Sequence, residues 1–215
     1  TGDMSIGGGF STLDGPLADF RINEKNLLGR GQRLSFATTL SKKTKEFDLS
    51  FTEPYFLGRK VSAGIDVFHF TKDYQKQSSY DKFQSGFALR FGYQLSEYLR
   101  QRLGYRLAYD KITNVQSDAS IYIKEQEGKR TTSMVSHELT YDKLNSKVDP
   151  TDGYILSMTN EVAGLGGSNK YIRNKFSGSL YFPILADIIA SASFEGGAIS
   201  AFGGKKILIS DRFFL

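Results

Sequence analysis

The sequence is most informative first in what it lacks. It contains no cysteine, which excludes disulfides and thiolate metal sites. That is neutral about compartment, although such a chain avoids mispairing in an oxidising space. Only two histidines occur, His69 and His137, and only four prolines among 215 residues. No apolar run approaches the roughly 18–20 residues of a membrane helix, and Thr1 opens no secretory signal. Mean hydropathy is −0.33 and the formal net charge +5. The lack of a hydrophobic helix leaves one route through a bilayer open. A transmembrane β-strand needs about 9–11 residues, of which only alternate ones must be apolar.

What is present is glycine and aromatic side chains: 22 Gly, 17 Phe and 12 Tyr. This balance suits many strands joined by turns better than helices. Period-two alternation confirms the direction. In "RLSFATTLS", Leu34, Phe36, Thr38 and Leu40 share one face; in "FALRFGYQL", Phe87, Leu89, Phe91, Tyr93 and Leu95 oppose Ala88, Arg90, Gly92 and Gln94. Further segments fall at 2–11, 17–26, 47–51, 61–67, 103–110, 132–142, 153–163, 171–182 and 188–199, about eleven strands in all. Alternation by itself fits either a soluble β-sandwich or a membrane barrel. Aromatics near the strand ends (Tyr55, Phe56, Tyr93, Tyr98, Tyr109, Tyr141, Tyr154, Phe182) favour the barrel, whose interfacial girdles they match. Connections point the same way, compact at 27–31, 55–60, 95–98 and 183–187, and mostly longer at 42–45, 72–82, 111–130 and after Ala201. The fold class expected is therefore all-β, an antiparallel transmembrane β-barrel. In "LSFTEPYFLGRK", Pro54 stops strand pairing, Tyr55 and Phe56 anchor at the periplasmic interface, and Leu57–Lys60 turn the chain. About eleven strands cannot close in the usual even-numbered way, so the segment is expected to be part of a longer barrel.

Catalysis finds little to work with. The two histidines lie on separate predicted strands, "GLGGSNK" (164–170) lacks phosphate-loop spacing, and no Gly-x-Ser-x-Gly elbow occurs. Asp66 and Glu138 on the polar face are expected to pair with Arg90 and Arg106 across a lumen. The expectation is no enzyme, no cofactor and no metal. No basic stripe with stacking aromatics suggests nucleic acid. The basic clusters "KKTK" (42–45) and Lys205–Lys206 read as solvated loops, with lipopolysaccharide phosphates as the alternative.

Three stretches, "GFSTLDGPLADFRINEKNLLGRGQ" (9–32), "FTEPYF" (51–56) and "YDKLNSKVDPTDGY" (141–154), resemble the barrel of the BamA family of outer-membrane assembly factors. The resemblance covers nearly the whole chain. It implies a bacterial outer-membrane location and a barrel of about sixteen strands, of which residues 1–215 would supply strands one to about eleven and the start of the sixth extracellular loop. Periplasmic POTRA domains, the closing strands and the Arg-Gly-Phe loop motif of the family are absent from this sequence. Asp142, Pro150, Thr151 and Gly153 match a turn common to the wider superfamily, with Asn145 where an Asp is frequent. Family members fold and insert other β-barrel proteins, so the implied partners are outer-membrane lipids, nascent β-barrel clients and, through POTRA domains, accessory lipoproteins. The first strand (Met4, Ser5, Ile6, Gly7, Gly8, Gly9, Phe10) would form a weak lateral seam and accept a client strand by β-augmentation. Its glycines equally suit mere curvature. A superfamily translocator or pore of two-partner secretion type is the rival function, and a soluble β-sandwich binding module the rival fold.

Overall fold

The computed structural model describes residues 2–185 and 188–204. Among these residues the chain forms one antiparallel sheet of eleven strands in strictly sequential order. They are β1 (Asp3–Ser11), β2 (Gly15–Leu27), β3 (Gln32–Ser41), β4 (Thr44–Glu53), β5 (Val61–Asp73), β6 (Asp81–Gln94), β7 (Leu99–Thr113), β8 (Gly128–Asp142), β9 (Gly153–Ala163), β10 (Tyr171–Leu185) and β11 (Ile188–Ala201). Two single-turn helices, α1 (Gln75–Ser78) and α2 (Ile121–Lys124), sit in connections. Every strand expected from alternation is present, most of them longer than the alternation alone marks.

Among the described residues no second layer packs on this sheet. Helical contact with it is confined to connections, and no large side chain is fully buried among the described residues. Register puts the apolar positions on one face across many strands: Leu49, Val67, Phe87 and Leu107 form one inter-strand row, and Phe51, Ile65, Leu89 and Tyr105 the next. Ile65, Val67, Phe91, Leu103, Val135 and Leu156 on that face stay exposed. A β-sandwich would bury such rows against a partner sheet. Here they face outward, as lipid-facing positions of a barrel do, and the sandwich expectation is excluded.

Aromatic rings gather at both ends of the outward face. At the rim carrying the 28–31, 54–60, 95–98 and 143–152 connections (the first rim), Phe56 meets Phe91 edge-on at 6.4 Å, and Tyr98, Tyr141 and Tyr154 form a chain with centroid spacings of 6.1 and 5.8 Å. Toward the opposite, second rim, Phe20–Phe36, Phe36–Phe47, His69–Phe83 and Phe83–Tyr109 contacts run from β2 to β7. The expected girdles are thus assembled by register, from rings far apart in sequence. The ten-residue connection 143–152 is longer than its neighbours on the first rim, so the compact-turn rule holds there only in part. The expected turn at 183–187 lies partly outside the described residues, as do Lys205–Lys206 and the expected start of the sixth loop.

Candidate functional site

β1 pairs with β2 along its whole length, from Asp3 opposite Asn23 to Ser11 opposite Gly15. Its other edge has no strand partner among the described residues. Alternation places Met4, Ile6, Gly8 and Phe10 on the outward face and Ser5, Gly7 and Gly9 on the inward one. Met4, Ile6 and Phe10 are 67, 75 and 77% exposed. None of the three glycines has a positive φ. A Cβ added at Gly7, Gly8 or Gly9 would meet nothing closer than 3.6 Å, which is ordinary contact. Neither backbone conformation nor close approach of β2 requires glycine there. The triplet removes side chains from the middle of an edge strand and leaves bare main-chain donors and acceptors, the groups that β-augmentation uses.

The family-motif residues lie together at the first rim. After Glu53 ends β4, the Glu53 carboxylate accepts the Tyr55 amide (2.9 Å), and the Gly58 and Arg59 amides donate back to the Tyr55 and Phe56 carbonyls. Pro54 packs 3.8 Å from the position a Cβ would occupy on Gly31, in the neighbouring turn. The turn expected of "PYFLGRK" is observed. The sequence reading missed that this turn has a twin. Leu28-Gly29-Arg30 and Leu57-Gly58-Arg59 share one conformation, each with a left-handed leucine (φ 53 and 54°) followed by a left-handed glycine. Both leucines are 82% exposed. The repeated Leu-Gly-Arg tripeptide was the available signal.

In the 143–152 connection, Asn145 organises the superfamily turn. Its Oδ1 accepts the Thr151 and Asp152 amides (3.0 and 3.1 Å), and its Nδ2 donates to Thr151 Oγ1 (2.5 Å). Asp142, which ends β8, accepts the Leu144 amide at 3.2 Å. Pro150 directly precedes Thr151, and Gly153 (φ +101°) opens β9 where a Cβ would strike the Lys143 carbonyl. Departure from Asp to Asn at 145 leaves the turn closed.

The inward face is polar and internally paired. Arg90 grips Asp66 through two bonds (2.6 and 2.8 Å) and reaches Ser50 and Thr52 on β4. Glu138 pairs with Arg102 at 2.6 Å, not with Arg106. Register explains the correction: Glu138 lies directly opposite Arg102, whereas Arg106 lies opposite Met134 and stacks over the Phe68 ring at 4.1 Å. These pairs run along the wall between adjacent strands and do not cross a lumen. Arg173–Glu161 and Lys175–Glu195 continue the pattern to β11. His69 contacts Thr71 and Phe83, and His137 bonds Gln101 at 2.8 Å, on strands β5 and β8. Among the described residues no three His, Cys, Asp or Glu side chains converge as metal ligands would. In the 74–80 connection, burial pushes the Tyr80 phenol up, and stacked Tyr74 (5.0 Å) adds to the shift.

Comparison with known proteins gives this wall a family. The chain is 29% identical, over its whole length, to the outer membrane protein assembly factor BamA of Neorickettsia risticii, of which it covers 29%. It is also 29% identical to the protein of that name from Nitratidesulfovibrio vulgaris, covering 27% of it. The human sorting and assembly machinery component 50 homolog is 26% identical over 88% of the chain and 40% of its own length. The chain thus spans less than a third of both bacterial relatives. In fold it matches the crystal structure of BamA from Haemophilus ducreyi lacking POTRA domains 1–3, with a TM-score of 0.75 at 23% identity over 99% of this chain and 44% of that one. The Omp85 superfamily domain matches residues 26–215, from the first Leu-Gly-Arg turn onward, and the chain belongs to the Omp85 superfamily.

Proposed function

We propose that this chain is part of the barrel of an outer-membrane assembly factor, which folds and inserts other β-barrel proteins through a lateral seam at β1. Outer-membrane location follows from superfamily and fold: an integral, multi-pass β-barrel of bacterial type. The single observation that carries the mechanism is the character of β1, an edge strand with an unforced glycine triplet between exposed apolar residues. A client strand pairing there would gain main-chain hydrogen bonds and lay its own apolar face against lipid. The driving free energy is the client's, so neither nucleotide nor metal enters, and the protein is not an enzyme. The relatives named for assembly support the client class. In this reading residues 1–215 are the first eleven strands of a longer barrel, and POTRA domains elsewhere in the whole protein would recruit accessory lipoproteins.

The test uses the absence of cysteine from residues 1–215, with any cysteine elsewhere in the full-length protein replaced by serine. In the full-length protein Ser5→Cys is paired with single cysteines along the final strand of a stalled client, and disulfide formation is read in native outer membranes. A crosslink at one register, lost when the client cysteine moves by one residue, is the expected result. Absence of crosslinks at every register, with the barrel embedded, leaves the translocator or pore reading, which the polar inward face also suits.

A further inference from the structure

The basic run at 42–45, read from sequence as a solvated loop, acquires distant company in the fold. Lys45 on β4 lies opposite Thr71, Thr71 opposite Phe83, Phe83 opposite Lys111, and Lys111 opposite Lys129. These five positions form one inter-strand row on the outward face, one or two residues from the ends of β4–β8 at the second rim. Lys42 and Lys43 in the β3–β4 turn join Lys45, Lys111 and Lys129 around a groove of about 720 Å³. None of the five has an ion-pair partner among the described residues. Two carboxylates, Asp73 and Asp81, also line the groove and are engaged elsewhere: Asp73 accepts the Gln75 amide (2.8 Å), and Asp81 accepts the side chains of Gln75 (3.1 Å) and Asn114 (2.5 Å).

What lies beneath the lysines decides what they suit. The next row toward the middle of the sheet is Phe47, His69, Ser85, Tyr109 and Thr131, and the one after is Leu49, Val67, Phe87, Leu107 and Ser133. Basic, aromatic and aliphatic rungs thus succeed one another down one outward face. A soluble polyanion would use only the first rung. An anionic membrane lipid uses all three, with its phosphate at the lysines, its glycerol or sugar level at the rings and its acyl chains on the aliphatic rung.

We infer that the β4–β8 face is a binding site for a phosphate-bearing membrane lipid, held by Lys45, Lys111 and Lys129 with Lys42 and Lys43 closing one side. The site needs the outward face to be embedded; it does not need client assembly, so its failure would leave the function proposed above untouched.

The full-length protein is reconstituted in phosphatidylcholine vesicles containing phosphatidic acid with a photoreactive headgroup, and cross-linked peptides are mapped. Labelling should concentrate on β4 and on the β7–β8 segments. Removing one lysine should cut it about fivefold, from the attraction of a basic residue to an anionic surface. A K45Q/K111Q/K129Q variant should lose at least about tenfold by the same attraction, while the triple arginine variant retains labelling and K147Q, at the opposite rim, matches the unmodified protein. Folding of each variant is verified by heat-modifiable gel migration, and the arginine triple keeps the test decisive if the glutamine triple does not fold. Labelling unchanged in a folded glutamine triple, or lost in the arginine triple, would overturn the proposal. So would equal loss on adding excess inorganic phosphate, which would make the groove a free-phosphate site.

Discussion

Glycine stands in the middle of both β1 and β6, and for opposite reasons. In β6 a Cβ on Gly86 would overlap the Leu107 carbonyl oxygen and lie 2.7 Å from Phe68 Cζ and 2.9 Å from the Ala108 Cα. The neighbouring strand has closed onto the bare backbone, and Arg106 stacks over Phe68 in the same place. In β1 a Cβ on Gly7, Gly8 or Gly9 would find at least 3.6 Å of room. The same residue tightens the wall in one strand and thins it in the other. The contrast extends to their surroundings: β6 has strands on both sides and ion-paired polar neighbours, whereas β1 is paired on one side and exposes Met4, Ile6 and Phe10.

The most direct way to break this comparison is to add one methyl group to each strand. Gly86→Ala forces β6 and β7 apart or displaces Phe68, and overpacking of this kind should cost about 3 kcal/mol. Gly8→Ala meets only the Leu17 carbonyl oxygen, at an ordinary 3.9 Å, and should change stability by less than about 0.5 kcal/mol. Urea unfolding of the full-length protein in lipid vesicles measures both. Equal losses would mean that the room beside β1 is filled in the whole protein, and the contrast between the strands would vanish.

Next in size is a connection at the first rim of the wall. Asn145→Ala removes two accepted bonds and one donated bond from the 143–152 loop, which should cost about 1–2 kcal/mol locally. Amide exchange at Thr151 and Asp152 is the appropriate readout, because an exposed loop opens without global unfolding. Asn145→Asp should preserve protection, since a carboxylate accepts both amides and the Thr151 hydroxyl reverses to donate. Loss of protection in the Asp variant would show that the amide donor is indispensable. Smaller again is Asp66→Ala, which frees Arg90. The pair is partly solvated, with side-chain exposures of 45 and 28%, so about 1 kcal/mol is expected, diminishing as salt screens the charges.

Much of this architecture was legible in the sequence because period two is a direct imprint of the pleat. All eleven strands follow from it; the fold class needed the strand-end aromatics and the contrast of compact and longer connections as well, and Pro54–Phe56 marked its turn through proline and paired aromatics. Register was not legible, because nothing in alternation fixes which residue of β8 faces which residue of β7. Hence Glu138 was matched with Arg106 when Arg102 stands opposite it, and Lys111 and Lys129 were not joined to the 42–45 run. The candidate edge was readable only as a glycine triplet. Whether glycine was sterically required needed the positions of Leu17 and Asp19 on β2, which are fixed by pairing and not by local sequence.

The smallest effect on stability is also the one that separates the two meanings of the triplet. Gly8→Val places a β-branched side chain on the outward face between Ile6 and Phe10, where strand propensity favours it and no neighbour opposes it. Stability should rise or fall by no more than about 0.5 kcal/mol, because β1 has a single described neighbour to profit from better packing. If the triplet exists to keep the edge weakly held, insertion of a β-barrel client by the full-length protein should slow, while the barrel unfolds at an unchanged urea concentration. If the triplet merely allows curvature, the order reverses: the barrel loses stability and the insertion rate falls only in proportion to the folded fraction. A side chain that leaves the fold alone and slows exchange at the edge would place the glycines' role in pairing with a second strand, since curvature cannot distinguish bound from unbound client.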